Sequence, residues 1–435
     1  MTSLFLPFVV YMDQMMLPIR IRMRKQGNDD RGSLKERLNR AERRRKIAAF
    51  GLTFPLLVFL IVTFVLPISE MMYRSVSNPL LSENIPETLV ALEDWDRNNS
   101  PEEIVYETLV RELKSAKEKG VLGQIGTRLN TERSGLRSLF TKTERNLDRL
   151  ADGKYKENLL KVDSRWGDPS TWGIIQRLGS PYTASNFIAA LDMTYDDYGN
   201  IKQQPENRRI YISLFVRTFW VALVITFICL VLAYPLAYVM VRLPRRKSNL
   251  LMIIILLPFW TSLLVRTTAW IVLLQNQGVI NDLLVLSGII NDSSRMQMVH
   301  NMTGTLVAMV HILLPFMFLP IYSVMRSIPS SYSRAALSLG ANPVVTFWKV
   351  YAPLTYPGVA AGSLLVFILS IGYYITPALV GGRTGQLISN FIAFHMQSSL
   401  NWGLAAALGS ILLVAVLLLY ALYNRIAGIG NFRLG

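Results

Sequence analysis

Residues able to carry out chemistry are few in this chain and do not form catalytic patterns. The single cysteine, Cys229, lies in an apolar run, and the three histidines (His300, His311 and His395) lack the spacing of metal ligands. The glycine-rich stretch 381–385 lacks the lysine of a Walker A phosphate loop. No paired carboxylates or nucleophile–histidine arrangement occurs in the apolar segments. We therefore expect no enzymatic activity and no nucleotide, metal or cofactor site in this chain.

Side chains that could bind a solute without catalysis are present in the apolar segments. Trp260, Tyr373 and Tyr374 offer aromatic faces that attract cations, although aromatic residues there also serve as packing or interface anchors. Arg217 and Arg266 place charge in or beside apolar segments, where it is costly. We expect these arginines either to face a pathway or subunit interface, or to reach the outer headgroups.

These residues belong to a chain too apolar for a soluble protein of its length. Of 435 residues, 51% are hydrophobic. Six segments are long enough to cross a hydrocarbon core, and none contains Asp or Glu. The spans are predicted at 47–69, 218–241, 249–275, 303–325, 358–382 and 400–424, with the second helix beginning near Tyr211.

The distribution of basic residues predicts the orientation of the spans. The net charge is +16, and twelve Lys/Arg lie between Arg20 and Lys46. The N-terminal segment and the loops predicted on its side of the membrane carry twenty-one basic residues in total. The two short loops on the opposite side carry only Arg295 and Arg383. This is the positive-inside pattern and not a nucleic-acid surface. We expect both termini in the cytoplasm.

The chain divides into four predicted regions. Residues 1–46 form a basic cytoplasmic segment, in which 1–19 is a flexible or interfacial tail and 33–46 a basic helix along the inner leaflet. The first span occupies 47–72, an extracytoplasmic insertion 73–208, and the core with spans two to six 209–435. Amphipathic helices are predicted in the insertion from leucines amid charged residues: Leu109, Leu113, Leu136, Leu139 and Leu147. The insertion is either a spacer or lid, or a docking surface for an extracytoplasmic partner.

The cytoplasmic loop 326–357 is unusually patterned. Ala335 and Ala336 allow close backbone approach, and Gly340 permits a bend before an amphipathic run that reaches Pro353. We expect two short helices with a glycine bend between them, suited to docking on another protein. The alternative is a structured connector between spans four and five.

This loop resembles the EAA loop in permease subunits of ABC importers. The family pattern is Glu-Ala-Ala, three residues, Gly, nine residues, Ile, two residues and Pro. The matching residues are Ala335, Ala336, Gly340 and Pro353, with Val350 in place of isoleucine. Arg334 replaces the glutamate and reverses its charge, so no ion pair of that glutamate is carried over.

A wider series of motifs resembles the PotB-like group of spermidine/putrescine permeases. It covers 211–435 and the first span, but not the long insertion. The motifs are Arg217-Thr218-Phe219-Trp220, Tyr234-Pro235-Leu236-Ala237-Tyr238, Val265-Arg266-Thr267-Thr268-Ala269-Trp270, Gly278-Val279-Ile280-Asn281 and Leu354-Thr355-Tyr356-Pro357-Gly358.

The resemblance implies an all-α membrane protein with a six-span core of the type I ABC importer permease kind. Such a subunit lies in the bacterial inner membrane, pairs with a second permease and two ABC ATPases that bind ATP and Mg, and receives solute from a periplasmic binding protein. The coupling residues would be those of the EAA loop. The implied solute is a polyamine, with opines, amino-acid derivatives or phosphonates as alternatives.

Two other classes of protein fit the sequence less well than a permease of an ABC importer. An ion-coupled secondary carrier would show inverted repeats and a charged relay within its spans, and neither is apparent. A sensor binding ligand through 73–208 would need an inward signalling domain, and none follows the spans.

Overall fold

The computed structural model describes residues 31–150, 153–196 and 199–427, and these form two compact units that divide between Ile68 and Ser69. The predicted tail 1–19 lies outside the described residues. Within them, six helices are long and apolar enough to cross a membrane, which confirms the predicted all-α membrane fold. They are Asn39–Val76, Tyr211–Arg242, Leu263–Leu286, Met302–Ser327, Pro343–Gly372 and Trp402–Arg425.

The first span is helical well beyond its apolar part. Helix α1 runs Arg31–Leu60 and contains Pro55, a π-helical segment follows at Ile61–Val65, and α2 runs Leu66–Val76. Residues 33–46, predicted as a basic helix, are helical, and they continue within α1 into the apolar segment. Their place along the inner leaflet stays a prediction.

The insertion is a small helical body with one hairpin. Its elements are α3 Pro79–Asn84, α4 Pro86–Ala91, α5 Glu103–Glu118, α6 Leu122–Glu132, α7 Leu136–Asn146, α8 Tyr155–Val162, α9 Pro169–Arg177, α10 Ser185–Ala190, β1 Met193–Tyr195 and β2 Ile201–Gln203. The two strands are antiparallel, with Thr194 opposite Lys202.

The insertion has its own hydrophobic core around Trp166 and Trp172. Both indoles are fully buried, and their N–H groups are paired: Trp166 Nε1 donates to Thr143 Oγ1 at 2.9 Å, and Trp172 Nε1 donates to Trp166 O at 2.7 Å. The five leucines predicted from helical periodicity all lie in this core. The amphipathic pattern therefore identified the buried faces correctly.

The membrane core follows the insertion in the order α11 Tyr211–Arg242, α12 Arg245–Trp260, α13 Leu263–Leu274, α14 Val279–Leu286, α15 Met302–Ser327, α16 Ser330–Ser338, α17 Pro343–Thr346, a π-helical segment Phe347–Tyr351, α18 Ala352–Gly372, α19 Ile375–Val380, α20 Gly382–Gly385, α21 Ile388–Gln397 and α22 Trp402–Ala427. Helix α15 is the most buried of the candidate spans and packs against α11 and α18. A Cβ atom at Gly358 or Gly362 of α18 would lie 2.9 Å from a carbonyl oxygen of α15. These glycines therefore set the close helix spacing that stabilises membrane bundles.

Two predicted spans have different boundaries in the structure. The segment predicted as one span at 249–275 is two helices, α12 and α13, separated by extended residues Thr261 and Ser262. The span predicted at 358–382 begins earlier, in the coupling loop, and its helix ends at Gly372. Apolar length alone did not reveal these breaks, because hydropathy does not depend on backbone conformation.

The insertion is joined to the membrane core by Asp192, which caps the second span. This buried residue has φ = 57°, and its carboxylate accepts hydrogen bonds from the backbone N–H groups of Ile210, Tyr211 and Ile212 at 2.8–3.0 Å. These N–H groups lie at the helix start, where they have no partner within the helix. The capping carboxylate also complements the helix dipole.

Both ends of the helical body 77–182 within the insertion lie side by side. Asn186 Nδ2 donates to Ser75 O at 2.9 Å, and Thr183 N donates to Val76 O at 2.8 Å. Helix α10 packs against α22, where a Cβ at Gly403 would meet the Asn186 side chain.

Candidate solute pathway and coupling loop

The break in the third span is closed by Arg266. Its Nη2 donates to the carbonyl oxygens of Pro258 and Thr261, the latter at 2.9 Å, and its Nε lies 3.2 Å from Thr261 Oγ1. Carbonyls freed by a helix break in a membrane need such donors, because no water is available there. The structure adds a role that the sequence analysis did not consider, in which Arg266 caps backbone carbonyls.

A second break follows the fifth span at Tyr373 and Tyr374. Their carbonyl oxygens accept hydrogen bonds from Ser389 Oγ and Asn390 Nδ2, both at 2.7 Å. Asn390 also accepts from Leu387 N at 2.9 Å, which fixes the start of α21. Discontinuous helices with satisfied backbone groups are typical of solute and ion sites in transporters.

The three aromatic pathway candidates differ in accessibility. Trp260, the last residue of α12, is 86% exposed, and Tyr374 is 38% exposed, whereas Tyr373 is half-buried against the core. Trp260 makes no ring contact with either tyrosine among the residues that the structure describes. Both helix breaks therefore present an aromatic face, but the structure does not join these faces into one closed site.

Arg217 is half-buried near the outer end of α11. Its Nη1 lies 3.5 Å from the carbonyl oxygen of Arg383, in the loop after the fifth span. Next to it, Thr218 is fully buried, and its Oγ1 accepts from Ile388 N at 2.9 Å. Arg217 thus lies beside a hydrogen-bonded junction between α11 and α21.

Sequence reasoning missed several polar contacts in the core. Trp270 Nε1 donates to His311 Nδ1 at 3.1 Å, and Thr305 Oγ1 donates to Gly385 O at 3.1 Å. His395 Nε2 lies 2.9 Å from the Tyr211 hydroxyl, and burial lowers the pKa of this imidazole. These partners are 41 to 184 residues apart, so no local signal could have paired them.

The coupling loop contains the two predicted helices. Helix α16 ends in a Schellman motif, in which Gly340 N donates to Leu337 O and Ala341 N donates to Ala336 O, at 3.0 and 3.1 Å. Gly340 has φ = 88°, a left-handed conformation that favours glycine. The glycine bend is confirmed, but the second helix, α17, continues through the π-helical segment into the fifth span.

The remaining EAA-like residues lie along this path. Arg334 and Ala335 are exposed on α16, whereas Ala336 is half-buried. Val350 lies in the π-helical segment, and Pro353 is the second residue of α18. Since proline has no backbone N–H, the helical ladder cannot be regular at this point.

The loop exposes large apolar side chains beside cations. Leu339 is 89% exposed, Trp348 is 69% exposed and Val344 is 66% exposed, with Arg334 and Lys349 nearby in sequence and also exposed. Exposed apolar residues of this kind mark a contact with another protein or with the membrane. We call Leu339, Val344, Trp348, Arg334 and Lys349 the coupling surface.

Side chains that could bind a metal ion are sparse in the described part of the chain. No group of three or more His, Cys, Asp or Glu side chains within it is placed to hold a metal ion. In the whole sequence from 209 onward, the only carboxylate side chains are Asp282 and Asp292, and both pair with Arg295.

The chain was compared with known protein families and proteins. Residues 208–428 match the family described as binding-protein-dependent transport system inner membrane component. The chain is 33% identical over 245 residues to the spermidine/putrescine transport system permease protein PotB of Haemophilus influenzae, covering 55% of this chain and 82% of the relative. It is 29% identical over 198 residues to the molybdenum transport system permease protein ModB of Mycobacterium bovis, covering 45% and 72%.

A solved bacterial alginate ABC transporter, in complex with a periplasmic protein carrying an alginate pentasaccharide, also matches. Its TM-score is 0.42 with 16% identity, over 50% of this chain and 78% of that one. That score is too low to support an inference. The family match and the PotB similarity stand without it, and with the six apolar helices they establish that this chain belongs to the inner-membrane permeases of binding-protein-dependent ABC importers.

Proposed function

We propose that this chain forms the pathway by which an ATP-driven importer moves a polyamine such as spermidine or putrescine into the cell. The observation that carries the proposal is the 33% identity to PotB over 82% of that relative. A relative named for molybdenum transport is less similar, at 29% over 72%. The solute is therefore inferred from the degree of similarity and not from the family alone.

The chemistry of the candidate pathway agrees with a cationic solute. Trp260 and Tyr374 present aromatic faces, each worth about 0.5–2 kcal/mol to a cation, depending on desolvation. Arg266 directs its guanidinium at backbone carbonyls and is not free to recruit an anion. In the five candidate spans from Tyr211 onward the one carboxylate side chain is Asp282, which pairs with Arg295, so counter-charges would come from a companion permease or the binding protein.

The proposed assembly contains a second permease, two ATPase subunits and a periplasmic solute-binding protein. ATP and Mg would be bound by the ATPase, because this sequence has no Walker A pattern. The coupling surface would seat in the ATPase and pass its closure to the spans as rigid-body motion. Arg334 stands where relatives carry glutamate, so we expect the facing ATPase residue to differ as well.

The proposed orientation places both termini in the cytoplasm and the insertion outside. Ser115 and Ser338 are both exposed, and the native Cys229 is buried, so single cysteines at these positions provide a direct test. After Cys229→Ser, an impermeant maleimide applied to intact cells with a permeabilised outer membrane should label position 115 and not 338. The reverse pattern would contradict the orientation.

Uptake measurements test the solute. Labelled putrescine and spermidine uptake should fall in a deletion strain that lacks other polyamine importers. In the deletion strain complemented with the Tyr374→Ala protein, uptake should remain low. The Tyr374→Phe protein keeps the ring and should restore uptake. Arg266→Gln keeps a donor for the helix break and should retain more uptake than Tyr374→Ala. Unchanged polyamine uptake in the deletion strain would reject the solute, leaving the importer family intact.

A further inference from the structure

The inner end of the second span packs on the coupling loop through a group of aromatic rings. The ring centroid of Tyr238 lies 5.3 Å from that of Phe347 and 5.4 Å from that of Tyr351, both nearly edge-on. Tyr234 approaches Phe347 at 6.3 Å, also edge-on. Edge-to-face pairs have a preferred geometry, so such a group resists sliding. We call Tyr234, Tyr238, Phe347 and Tyr351 the aromatic joint.

Two polar contacts fix the aromatic joint further. The Arg242 guanidinium lies 3.5 Å from the ring centroid of Tyr238, at the cytoplasmic end of α11. The Tyr234 hydroxyl lies 3.1 Å from Thr355 Oγ1, at the start of the fifth span. The second span is therefore held to the coupling segment by ring packing, a cation–π contact and a hydrogen bond.

The loop side of the joint is an irregular helix. Phe347 and Tyr351 begin and end the π-helical segment, in which Ala352 N donates back to Phe347 O. Short π-helical segments recur at functional sites, because they displace side chains from regular helical positions. Here the segment lies between the coupling surface and the fifth span, and it turns two rings toward α11.

The second span is also held at its outer end. Asp192 of the insertion caps its first turn, and Ala233, Ala237 and Met240 of its inner half are buried against the core. Close-packed contacts of this kind transmit displacement, because they have little free volume to absorb it. A movement imposed at Tyr238 would thus reach the outer end of α11 along one continuous helix.

From these contacts we propose that the aromatic joint drives the second span, with Tyr238 and Phe347 as positioning residues between the coupling surface and α11. The inference rests on the proposed docking of an ATPase to the coupling surface. Movement reaches the fifth span directly, because that helix continues from the loop. It reaches the second span through the joint, so loss of the joint would leave the two spans moving independently.

Fluorescent reporters on the two spans test the proposal without knowledge of the solute. In the Cys229→Ser protein, purified with its ATPase and placed in nanodiscs, a single bimane label is introduced at Ser213→Cys of the second span or Ala361→Cys of the fifth. Both positions are exposed. Adding ATP and vanadate should change bimane emission at both sites in the otherwise native chain.

Tyr238→Ala should reduce the ATP-dependent change at position 213 about tenfold and leave the change at position 361 and ATP hydrolysis within about twofold of the parent. Tyr238→Phe keeps the ring and should behave as the parent. Phe227→Ala removes an equally large ring from the exposed face of the same span and serves as the size-matched control.

The outcomes separate the two proposals. If position 213 still responds fully in both Tyr238→Ala and Phe347→Ala, the joint is not the route and this inference is wrong. If neither reporter responds in the parent, or no ATPase co-purifies, the proposed coupling itself fails and the inference fails with it. If the Tyr238→Ala protein does not accumulate, Tyr238→Leu can replace it, because leucine keeps apolar volume without a ring. Tyr238→Leu is also expected to lose the change in bimane emission at position 213.

Discussion

The guanidinium of Arg266 caps the carbonyl of Thr261 across a break in the third span, with Nη2 and the carbonyl oxygen 2.9 Å apart. A charged residue in an apolar segment is commonly taken as a pathway residue. Here it lies one helical turn after the break and directs its donors back to it. The cost of burying the charge is offset by hydrogen bonds to the backbone carbonyls at the break.

Removing this cap should destabilise the protein. Arg266→Met leaves the Thr261 carbonyl without this donor, whereas the Pro258 carbonyl keeps its hydrogen bond from the Thr261 hydroxyl, and losing a hydrogen bond to a charged donor costs about 1.5–3 kcal/mol. The midpoint of thermal unfolding in detergent should fall clearly for Arg266→Met. The midpoint of Arg266→Lys should lie between those of Arg266→Met and the parent. Arg425→Met, an exposed arginine on the last span, is the control and should melt like the parent. An Arg266→Met midpoint equal to the parent's would show that the break needs no cap.

The cap at the second span gives a second prediction. Asp192→Ala removes the acceptor of three backbone N–H groups and should cost about 2–4 kcal/mol, more than the ~1 kcal/mol of an ordinary cap. Asp192→Asn retains one acceptor oxygen and should lose less. Thermal unfolding in detergent measures both, with Asp94→Ala, an exposed carboxylate of the insertion, as the control. Equal midpoints for Asp192→Ala and Asp94→Ala would contradict the cap.

Acid should weaken the insertion through Asp163. Hydrogen bonds from Arg165 hold the pKa of this carboxyl well below its usual range, and Lys142 adds a further donor. Since the folded pKa is lowered, the stabilisation is complete above the unfolded pKa of about 3.9 and is lost progressively as pH falls from there towards the folded pKa. Asp163→Asn should therefore lower the unfolding midpoint more at pH 7 than at pH 3.

An exposed ion pair provides the comparison for Asp163. Asp148 also pairs with a lysine, Lys117, which lowers its pKa, but its side chain is 75% exposed. Exposed pairs contribute little to stability, so Asp148→Asn should leave the midpoint nearly unchanged at both pH values. If Asp148→Asn lowered the midpoint as much as Asp163→Asn, burial would not be the reason for the Asp163 effect.

The glycine bend of the coupling loop gives a prediction that depends on backbone conformation and not on steric room for a side chain. No heavy atom lies within 4 Å of a Cβ built on Gly340, so a side chain there meets no clash. Its φ of 88° costs other residues about 1–2 kcal/mol, and asparagine less. Gly340→Val should therefore reduce the ATPase retained on purification more than Gly340→Asn.

The matched control for this bend lies on the other side of the membrane. Gly120 in the insertion has φ = 70° and equally open surroundings, so Gly120→Val introduces the same kind of strain away from the coupling surface. It should leave ATPase retention unchanged. If both valine variants lost the ATPase alike, general destabilisation and not the loop would explain the result.

Features of the fold that follow from helical periodicity or from a glycine at a helix end were predictable from the sequence. The leucine spacing identified the insertion core, and the Ala-Ala and Gly340 spacing identified the α16 helix and its bend, because both depend on neighbouring residues. The breaks at Thr261 and Tyr373 were not predictable. The break at Tyr373 is stabilised by donors 16 residues further along the chain, Ser389 and Asn390. The break at Thr261 is stabilised by Arg266 through backbone carbonyls, so neither apolar run gives a sign of its break.

The site residues were located with unequal success for the same reason. Arg266 was identified by its charge, but its partners are main-chain atoms, which no side-chain pattern encodes. Asp192 was overlooked, since its left-handed backbone and its distance of 18 to 20 residues from the capped N–H groups arise only in the fold. The rings of the joint appeared in sequence as unrelated aromatic residues.

The hydrogen bond between Thr183 and Val76 has a consequence for how this region tolerates changes in length. Together with the bond from Asn186 to Ser75, it brings the two ends of the helical body 77–182 to nearly one point. Bridging such a gap needs only a short linker, and closure entropy grows slowly with the length of what is inserted. The helical body could therefore be lengthened, shortened or replaced by a short linker while Val76 and Thr183 keep their separation.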